Sequence, residues 1–180
     1  QEWITCAVVA SCLGGGRSIK KHLHELIKPF LKPLGLKYLS AGFWILSSVF
    51  LSDLIRKPGI AIFASVMAAL VEGILTKWGL GSILYGFIQG VGAELVFLLF
   101  AYRYWSIGIL ALAASVSAFL SYSYDYLTHD YNQLSVNFNL LQLTSFIISA
   151  IIFAALLSRY LSSRLVKTGL LDSFLIAKKN

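Results

Sequence analysis

The sequence predicts an all-α membrane protein with six transmembrane helices, forming a single domain over residues 1–180. Hydrophobic residues make up 58% of the chain and charged residues only 13%, whereas soluble domains usually carry about 25% charged residues. The apolar residues form long runs, and most Lys and Arg residues lie between or after these runs. A soluble fold of this length could not bury so much apolar surface, so the chain is expected in a membrane.

Six runs with few or no charges are the expected spans, because a helix needs about 20 apolar residues to cross a bilayer. They cover residues 3–16, 38–55, 58–75, 78–102, 104–124 and 131–160. The first run is the shortest, and Gly14-Gly15-Gly16 interrupts it.

Polar connectors separate these spans. Residues 17–37 carry six Lys or Arg together with apolar residues at helical spacing, which predicts an amphipathic helix on the membrane surface. Residues 123–137 form the longest late connector, and residues 161–180 form a basic amphipathic tail. Lys and Arg concentrate on the cytoplasmic side of membrane proteins. With residues 17–37 set aside, their distribution favours both chain ends inside the cell.

Polar side chains within the spans are the candidate ligand contacts, because such groups are costly in hydrocarbon and usually functional. The candidate binding residues are Trp44, Glu72, Tyr85, Gln89, Glu94 and Asp125. If both chain ends are inside the cell, these residues fall in the outer half of the bilayer, except for Glu94, which falls near the midplane. Gln142 also falls in the outer half. Carboxylates, an amide and aromatic rings at one depth are typical of a ligand pocket. The alternative is interhelical hydrogen bonding plus an aromatic belt.

Two stripes of small residues predict close helix packing, because small side chains let helices approach. In the fourth span we expect the stripe to pack inside the protein; its members are Ser82, Gly86 and Gly90. In the first span a similar stripe predicts docking of a partner protein through Ala7, Ala10, Ser11 and Gly14.

Other classes of site are not indicated. The sequence has no phosphate-binding glycine loop, metal-ligand spacing or nucleic-acid motif, and Cys6 and Cys12 match no zinc or redox pattern. No cofactor, metal or nucleic-acid partner is therefore expected. His129 lies near Asp125 and Asp130 without an evident nucleophile, so an intramembrane enzyme is disfavoured. The main alternative to a binding subunit is a self-contained transporter or channel, although no internal repeat is visible.

Several motifs, taken in order, resemble a known family of transport subunits. They are Gly-Phe-Trp at 42–44, Ile-Arg-Lys-Pro-Gly at 55–59, Ala-Ala-Leu-Val-Glu at 68–72, Gln-Gly-Val-Gly-Ala-Glu-Leu-Val-Phe at 89–97, Tyr-Arg-Tyr-Trp at 102–105 and Tyr-Asp at 124–125. Their order and spacing are similar to those of the YkoE-type S-components of energy-coupling factor (ECF) transporters. These S-components handle thiamine and its hydroxymethylpyrimidine (HMP) precursor.

The resemblance implies a six-helix S-component in the bacterial plasma membrane with both ends inside. It would bind thiamine or HMP from outside and work with a transmembrane coupling protein and two ATPase subunits. ATP hydrolysis would then belong to the partners, and the chain itself would not be an enzyme. Glu72 can accept from the amino group of the pyrimidine, Gln89 can pair with its ring nitrogens, and Trp44 can hold the thiazolium cation of thiamine by stacking. Where family members often carry a second acidic residue this chain has Ser65, which leaves the choice between the two ligands open.

Overall fold

The structure is a computed structural model, and it describes residues 4–13, 38, 41–75, 79, 81–129 and 131–167. The helices, in chain order, are α1 (Ile4–Leu13), α2 (Gly42–Ile55), α3 (Ile60–Leu75), α4 (Gly81–Leu99), α5 (Ile107–Thr128), α6 (Val136–Ala150) and α7 (Leu157–Lys167). A 3-10 turn (Tyr131–Gln133) precedes α6, and a π-helical segment (Ile151–Leu156) joins α6 to α7 without a break. The described residues therefore form six helical runs.

The helical runs correspond one to one with the predicted spans. α4, α5 and the run Val136–Leu165 are long and apolar enough to cross a membrane, whereas α1, α2 and α3 are shorter apolar helices. The predicted all-α fold with six helices is confirmed for the part of the chain that the structure describes.

α5 extends further than the apolar run indicates. It ends at Thr128, and the His129 N–H still donates to the Asp125 carbonyl (2.9 Å). The predicted connector 123–137 is therefore wrong at both of its bounds, and the stretch between α5 and α6 is only 129–135. The helix continues through this turn, where Asp125 accepts hydrogen bonds from Tyr38 and Tyr85 and the Thr128 hydroxyl donates to the Tyr124 carbonyl.

α7 also runs past the predicted boundary. It continues to Lys167 because side chains such as Leu161 still pack against an apolar cluster formed with α2 and α3. Residues 161–167 of the predicted basic amphipathic tail thus form the end of α7. The remainder of that tail, 168–180, and the predicted amphipathic connector 17–37 lie outside the described residues.

α3 and α4 pack closely along the small-residue stripe of α4. A Cβ atom on Gly86 would lie 2.5 Å from Ala69 Cβ, and a Cβ atom on Gly90 would lie 2.6 Å from Ile62 Cα. Between the same helices, the Ser82 hydroxyl donates to the Ala69 carbonyl (2.9 Å). The predicted internal packing of this stripe is confirmed, because a larger residue at either glycine would force the helices apart.

α2 begins deep inside the bundle rather than level with the start of α6. The Gly42 N–H donates to Ser149 Oγ (3.0 Å), and a Cβ atom on Gly42 would lie 2.2 Å from the Ser149 backbone. Ser149 lies 13 residues after Val136 in α6, which is about 20 Å along a helix. Tyr38, just ahead of α2, is consequently buried among the side chains of α5 and α6.

At the other end of α2, two arginines neutralise a buried carboxylate. Asp53 is fully buried, and its Oδ1 lies 3.3 Å from Arg159 Nη1 and 3.6 Å from Arg56 Nη2. Arg159 also donates to the Trp105 carbonyl, and the Arg56 guanidinium lies over the Trp105 ring at 5.6 Å. These contacts join α2 to α7 and to the connector before α5. We call this part of the bundle the Asp53 end.

Candidate functional site

A carboxylate near the end of α5 gathers polar side chains from three segments of the chain. Asp125 is 8% exposed and accepts hydrogen bonds from the hydroxyls of Tyr38 and Tyr85. Its Oδ1 also lies 3.5 Å from His129 Nδ1, one turn further along α5. The Tyr38 hydroxyl is 3.1 Å from that of Tyr131 in the 3-10 turn. We call these five residues the Asp125 cluster.

Aromatic rings form a wall beside this carboxylate. The Tyr38 ring stacks on Phe146 of α6, with centroids 4.9 Å apart, and meets the Tyr122 ring edge-on at 5.7 Å. On the α4 side, the rings of Tyr85 and Tyr124 meet edge-on at 5.0 Å. Such rings can hold a flat heteroaromatic ligand by stacking and an organic cation by cation–π attraction.

α6 contributes amides next to these rings. Asn139 accepts from the Tyr122 hydroxyl through Oδ1 (2.9 Å) and donates through Nδ2 to the Tyr131 carbonyl (2.9 Å). Gln142, one turn further, is 3% exposed, and its Oε1 has no hydrogen-bond partner among the described residues. The α6 face that contacts Tyr38 and Tyr122 therefore holds both a paired and an unpaired amide oxygen.

The structure brings some of the sequence-predicted residues together directly. Tyr85 and Asp125 are hydrogen-bonded to each other. Gln89, one turn from Tyr85 on α4, is buried beside α5, where its backbone carbonyl accepts from Ser117 (2.8 Å). Trp44 is half-buried and packs against an apolar cluster that extends from Tyr38, Tyr122 and Phe146 to Trp105 at the Asp53 end, so this packing alone does not place its ring at Asp125.

Glu72 and Glu94, the two glutamates of the predicted set, lie at different places. Glu72 is half-buried in the last turn of α3, next to the α3–α4 connection. The Glu94 carboxylate accepts from the N–H groups of Gly59 (2.5 Å) and Ala61 (3.0 Å) and from the Tyr102 hydroxyl (2.5 Å). It thus caps the start of α3 on the side of the Asp53 end. The structure does not place Glu94 with the Asp125 cluster, because the α2–α3 turn folds onto α4 and takes up its oxygens.

Sequence reasoning missed several members of the site. Tyr38 and Tyr131 lie outside the helical parts of their predicted spans, and neither position carries a local signal of binding. Asn139 and Gln142 are polar residues in an apolar run; the sequence shows Gln142 at the right depth but does not show that its oxygen is unpaired. Of these four, only the two amides could have been found from the sequence.

The predicted docking face on α1 is only partly available. Ala10 is fully buried and, like Cys6, belongs to the apolar cluster formed with α2 and α3. Ala7 and Ser11 are half-buried, and the Ser11 hydroxyl donates to the Ala7 carbonyl (2.7 Å). Gly14 lies outside the described residues. The structure therefore removes Ala10 from this face, because the same small residue lets α1 approach its own neighbours.

Comparison with known proteins identifies the family. A family model described as "ABC-type cobalt transport system, permease component" matches residues 1–120. The putative HMP/thiamine permease protein YkoE of Bacillus subtilis (strain 168) is 36% identical over 139 residues, which is 77% of this chain and 70% of that protein. The crystal structure of an S-component of an ECF transporter superposes with a TM-score of 0.93 and 30% identity, covering 99% of this chain and 90% of that one.

These matches agree with the motifs between residues 42 and 125 and with the six-helix bundle. The family resemblance read from those motifs is confirmed. The chain therefore belongs to the S-components of ECF transporters and is a multi-pass membrane transport subunit, not an enzyme.

Proposed function

We propose that this chain binds thiamine or HMP at the Asp125 cluster and delivers it through an ECF-type importer. The observation that carries the proposal is the meeting of a buried carboxylate, two hydroxyl donors and an aromatic wall, drawn from α4, α5, α6 and the residue ahead of α2. The name of the Bacillus subtilis relative, an HMP/thiamine permease, supports the same ligands.

The chemistry of the cluster suits these ligands. Thiamine carries an aminopyrimidine ring and a cationic thiazolium ring, whereas HMP carries only the neutral pyrimidine. Asp125 is buried on the aromatic wall, so its charge and the ring faces together favour a cation. A carboxylate offers about four lone-pair positions, so Asp125 can accept from a ligand donor in addition to Tyr38 and Tyr85.

Three further residues belong to the proposed site. Gln89 is buried one turn from Tyr85 and would pair with pyrimidine nitrogens. Trp44 offers a ring face beside the same apolar cluster. Glu72, in the last turn of α3, would accept from a ligand amino group. Glu94 is left out because its oxygens cap α3.

The partners we propose are a transmembrane coupling protein and two ATPase subunits. Family membership supports this arrangement. The part of the predicted docking face that stays half-buried, Ala7 and Ser11 on α1, is the surface we propose for the coupling protein, since small residues permit close helix approach.

The purified subunit should bind thiamine or HMP in isothermal titration calorimetry. Asp125→Asn preserves the shape and removes the charge. We expect it to weaken thiamine binding by about 10- to 100-fold, the range for a lost hydrogen bond to a charged group, and to weaken HMP binding less because HMP is neutral. Tyr85→Phe should also weaken binding, because it removes one hydroxyl that holds the carboxylate.

Tyr104→Phe is the matched control. It also removes one hydroxyl, but Tyr104 is exposed in the connector before α5, on the side of the Asp53 end. The affinities of Tyr104→Phe for thiamine and HMP should equal those of the parent. Because the matching family model is described as a cobalt permease component, Co²⁺ is titrated as a third ligand. Binding of Co²⁺ with no binding of either pyrimidine would show that the proposed function is wrong.

A further inference from the structure

We propose that Gln142 determines ligand specificity: its side-chain oxygen accepts a hydrogen bond from the ligand's exocyclic amino group, so the site favours aminopyrimidines over oxopyrimidines. This inference rests on the proposed function, because it concerns how the same site distinguishes one pyrimidine from another.

The first observation is an unpaired buried acceptor. Gln142 is 3% exposed, and Oε1 has no partner in the described part of the chain. The neighbouring polar groups on this face of α6 are paired: Asn139 uses both its oxygen and its nitrogen, and Ser149 Oγ accepts from the Gly42 N–H. Since buried polar groups are almost always hydrogen-bonded, an amide oxygen left open here is suited to a donor that arrives with the ligand.

Other buried oxygens without a partner have simpler explanations. Ser65 Oγ is also unpaired, but a helical serine can turn its hydroxyl to the carbonyl four residues earlier. Asp53 Oδ2 is unpaired as well, but two guanidinium groups neutralise that carboxylate. An amide oxygen cannot donate, so Gln142 needs a donor from elsewhere.

The second observation is the position of Gln142 on α6. Three residues earlier, Asn139 accepts from the Tyr122 hydroxyl (2.9 Å). Four residues later, Phe146 stacks on Tyr38, whose hydroxyl donates to Asp125. Residues three and four apart share a helix face. Gln142 therefore lies between two direct contacts of α6 with the aromatic wall, on the face that meets the proposed site.

The unpaired oxygen of Gln142 determines which substituent on the pyrimidine ring is favoured. An exocyclic amino group presents N–H donors to Oε1. An oxo group at the same ring position presents only lone pairs, which would face the lone pairs of Oε1. A site with a buried acceptor rejects a ligand that cannot pair with it, because the acceptor is then left without water or a partner.

The test measures affinities of the purified full chain for HMP and for the analogue with an oxo group in place of the amino group. The parent should prefer the amino compound by about 10- to 100-fold. Gln142→Leu should bind HMP about tenfold more weakly and lower the ratio of the two affinities by about the same factor, leaving only the part of the preference that Glu72 contributes through the second N–H of the amino group. Gln142→Asn, which keeps the amide but withdraws the oxygen by one methylene, should reduce the preference in the same direction.

Two readouts separate ligand recognition from a structural role. The empty Gln142→Leu protein should be at least as heat-stable as the parent, because an apolar side chain of similar size replaces an unpaired buried acceptor. Thr144→Val is the control: Thr144 is exposed on α6, and its hydroxyl donates within its own helix. This variant should retain the full preference.

A Gln142→Leu or Gln142→Asn protein that still prefers the amino compound as strongly as the parent would overturn the inference and leave the proposed function intact. A parent protein that binds HMP and the oxo analogue equally would likewise overturn the inference and leave the proposed function intact. A parent that binds neither thiamine nor HMP would instead remove the proposed function, and the inference with it.

Discussion

Replacing Arg159 by methionine tests how far the bundle depends on neutralising its buried carboxylate. Asp53 is 0% exposed, and Arg159 is the nearer of its two cationic partners, at 3.3 Å. Methionine keeps much of the length and the apolar stem of the side chain but removes the guanidinium. The variant leaves Asp53 with Arg56 alone, at 3.6 Å, and the Trp105 carbonyl without its donor from Arg159.

The expected loss follows from the geometry. Two unit charges 3.3 Å apart attract by about 5 kcal/mol at an effective dielectric constant of about 20. The Arg159 side chain is 31% exposed, so water screens part of this attraction, and Arg56 remains in place. Breaking a buried ion pair usually costs about 3–5 kcal/mol. We expect the lower end of that range, about 3 kcal/mol of unfolding free energy.

A double variant shows whether the loss comes from the uncompensated charge. Arg159→Met combined with Asp53→Leu removes the charges of this pair and places a leucine against the apolar cluster that includes Leu54. Arg56 keeps its charge, with its guanidinium over the Trp105 ring and its Nε donating to the backbone carbonyl of residue 53. Apolar replacements of buried ion pairs are often neutral or stabilising. The double variant should therefore regain part of the loss. The remainder comes from the Trp105 carbonyl, which has lost its donor, and from Arg56, which has lost its carboxylate.

SDS titration of the purified protein in mixed micelles, followed by near-UV circular dichroism, measures these differences. Arg159→Lys keeps the charge but not the forked geometry, so its midpoint should fall between those of the parent and Arg159→Met. The reasoning is refuted if Arg159→Met unfolds at the parent's SDS fraction. It is equally refuted if the double variant is as unstable as Arg159→Met, because the charge on Asp53 would then not be the cause.

Two further predictions use the same titration. Glu94→Gln should destabilise the protein by about 1–2 kcal/mol, because the start of α3 and the Tyr102 hydroxyl lose a charged acceptor; an unchanged midpoint would show that the cap contributes little. Gly90→Leu should prevent folding, since even a Cβ atom there would lie 2.6 Å from Ile62 Cα. Gly81→Leu on the same helix should fold normally, because a Cβ atom at Gly81 meets nothing within 4 Å, and equal behaviour of the two variants would contradict the packing argument.

The helices could be predicted from the sequence because each apolar run is a local signal. A membrane span can be recognised from its own residues, because the hydrocarbon core of the bilayer requires an apolar helix of sufficient length whatever the other helices do. The Gly86 and Gly90 stripe was readable for a similar reason, since small residues four apart lie on one face of their own helix. Helix ends were less accurate: α5 reaches Thr128 and α7 reaches Lys167 because tertiary contacts stabilise turns that are too polar for a hydropathy pattern.

The site could be predicted only in part because its contacts are long-range. Asp125 and Tyr85 were candidates by depth, but 87 residues separate Tyr38 from Asp125, and nothing local indicates that their side chains meet. Glu94 was grouped with the others as a polar residue within a span, although its predicted depth is near the midplane. Its assignment depended on how the α2–α3 turn folds onto α4, which brings the Gly59 N–H within 2.5 Å of its carboxylate.

The buried carboxylates at the two ends of the bundle have different partners, and this difference bears on how a ligand could bind. Toward the Asp53 end, side chains hold backbone groups at helix termini: Glu94 binds the Gly59 N–H, and Arg159 binds the Trp105 carbonyl. Asp53 itself is held there by the guanidinium groups of Arg56 and Arg159, so these contacts tie helix ends to one another. At Asp125, by contrast, the partners are the side-chain hydroxyls of Tyr38 and Tyr85.

A ligand donor at the proposed site would join the two hydroxyls on Asp125, because a carboxylate offers about four lone-pair positions. Tyr38 is 2% exposed and its ring is packed on Phe146 and Tyr122, so its hydroxyl stays on the carboxylate. The buried carboxylate would then keep a partner before, during and after binding, and its charge would never be left alone. Binding at the proposed site therefore requires no movement of a helix, and the contacts toward the Asp53 end hold the helices in register throughout.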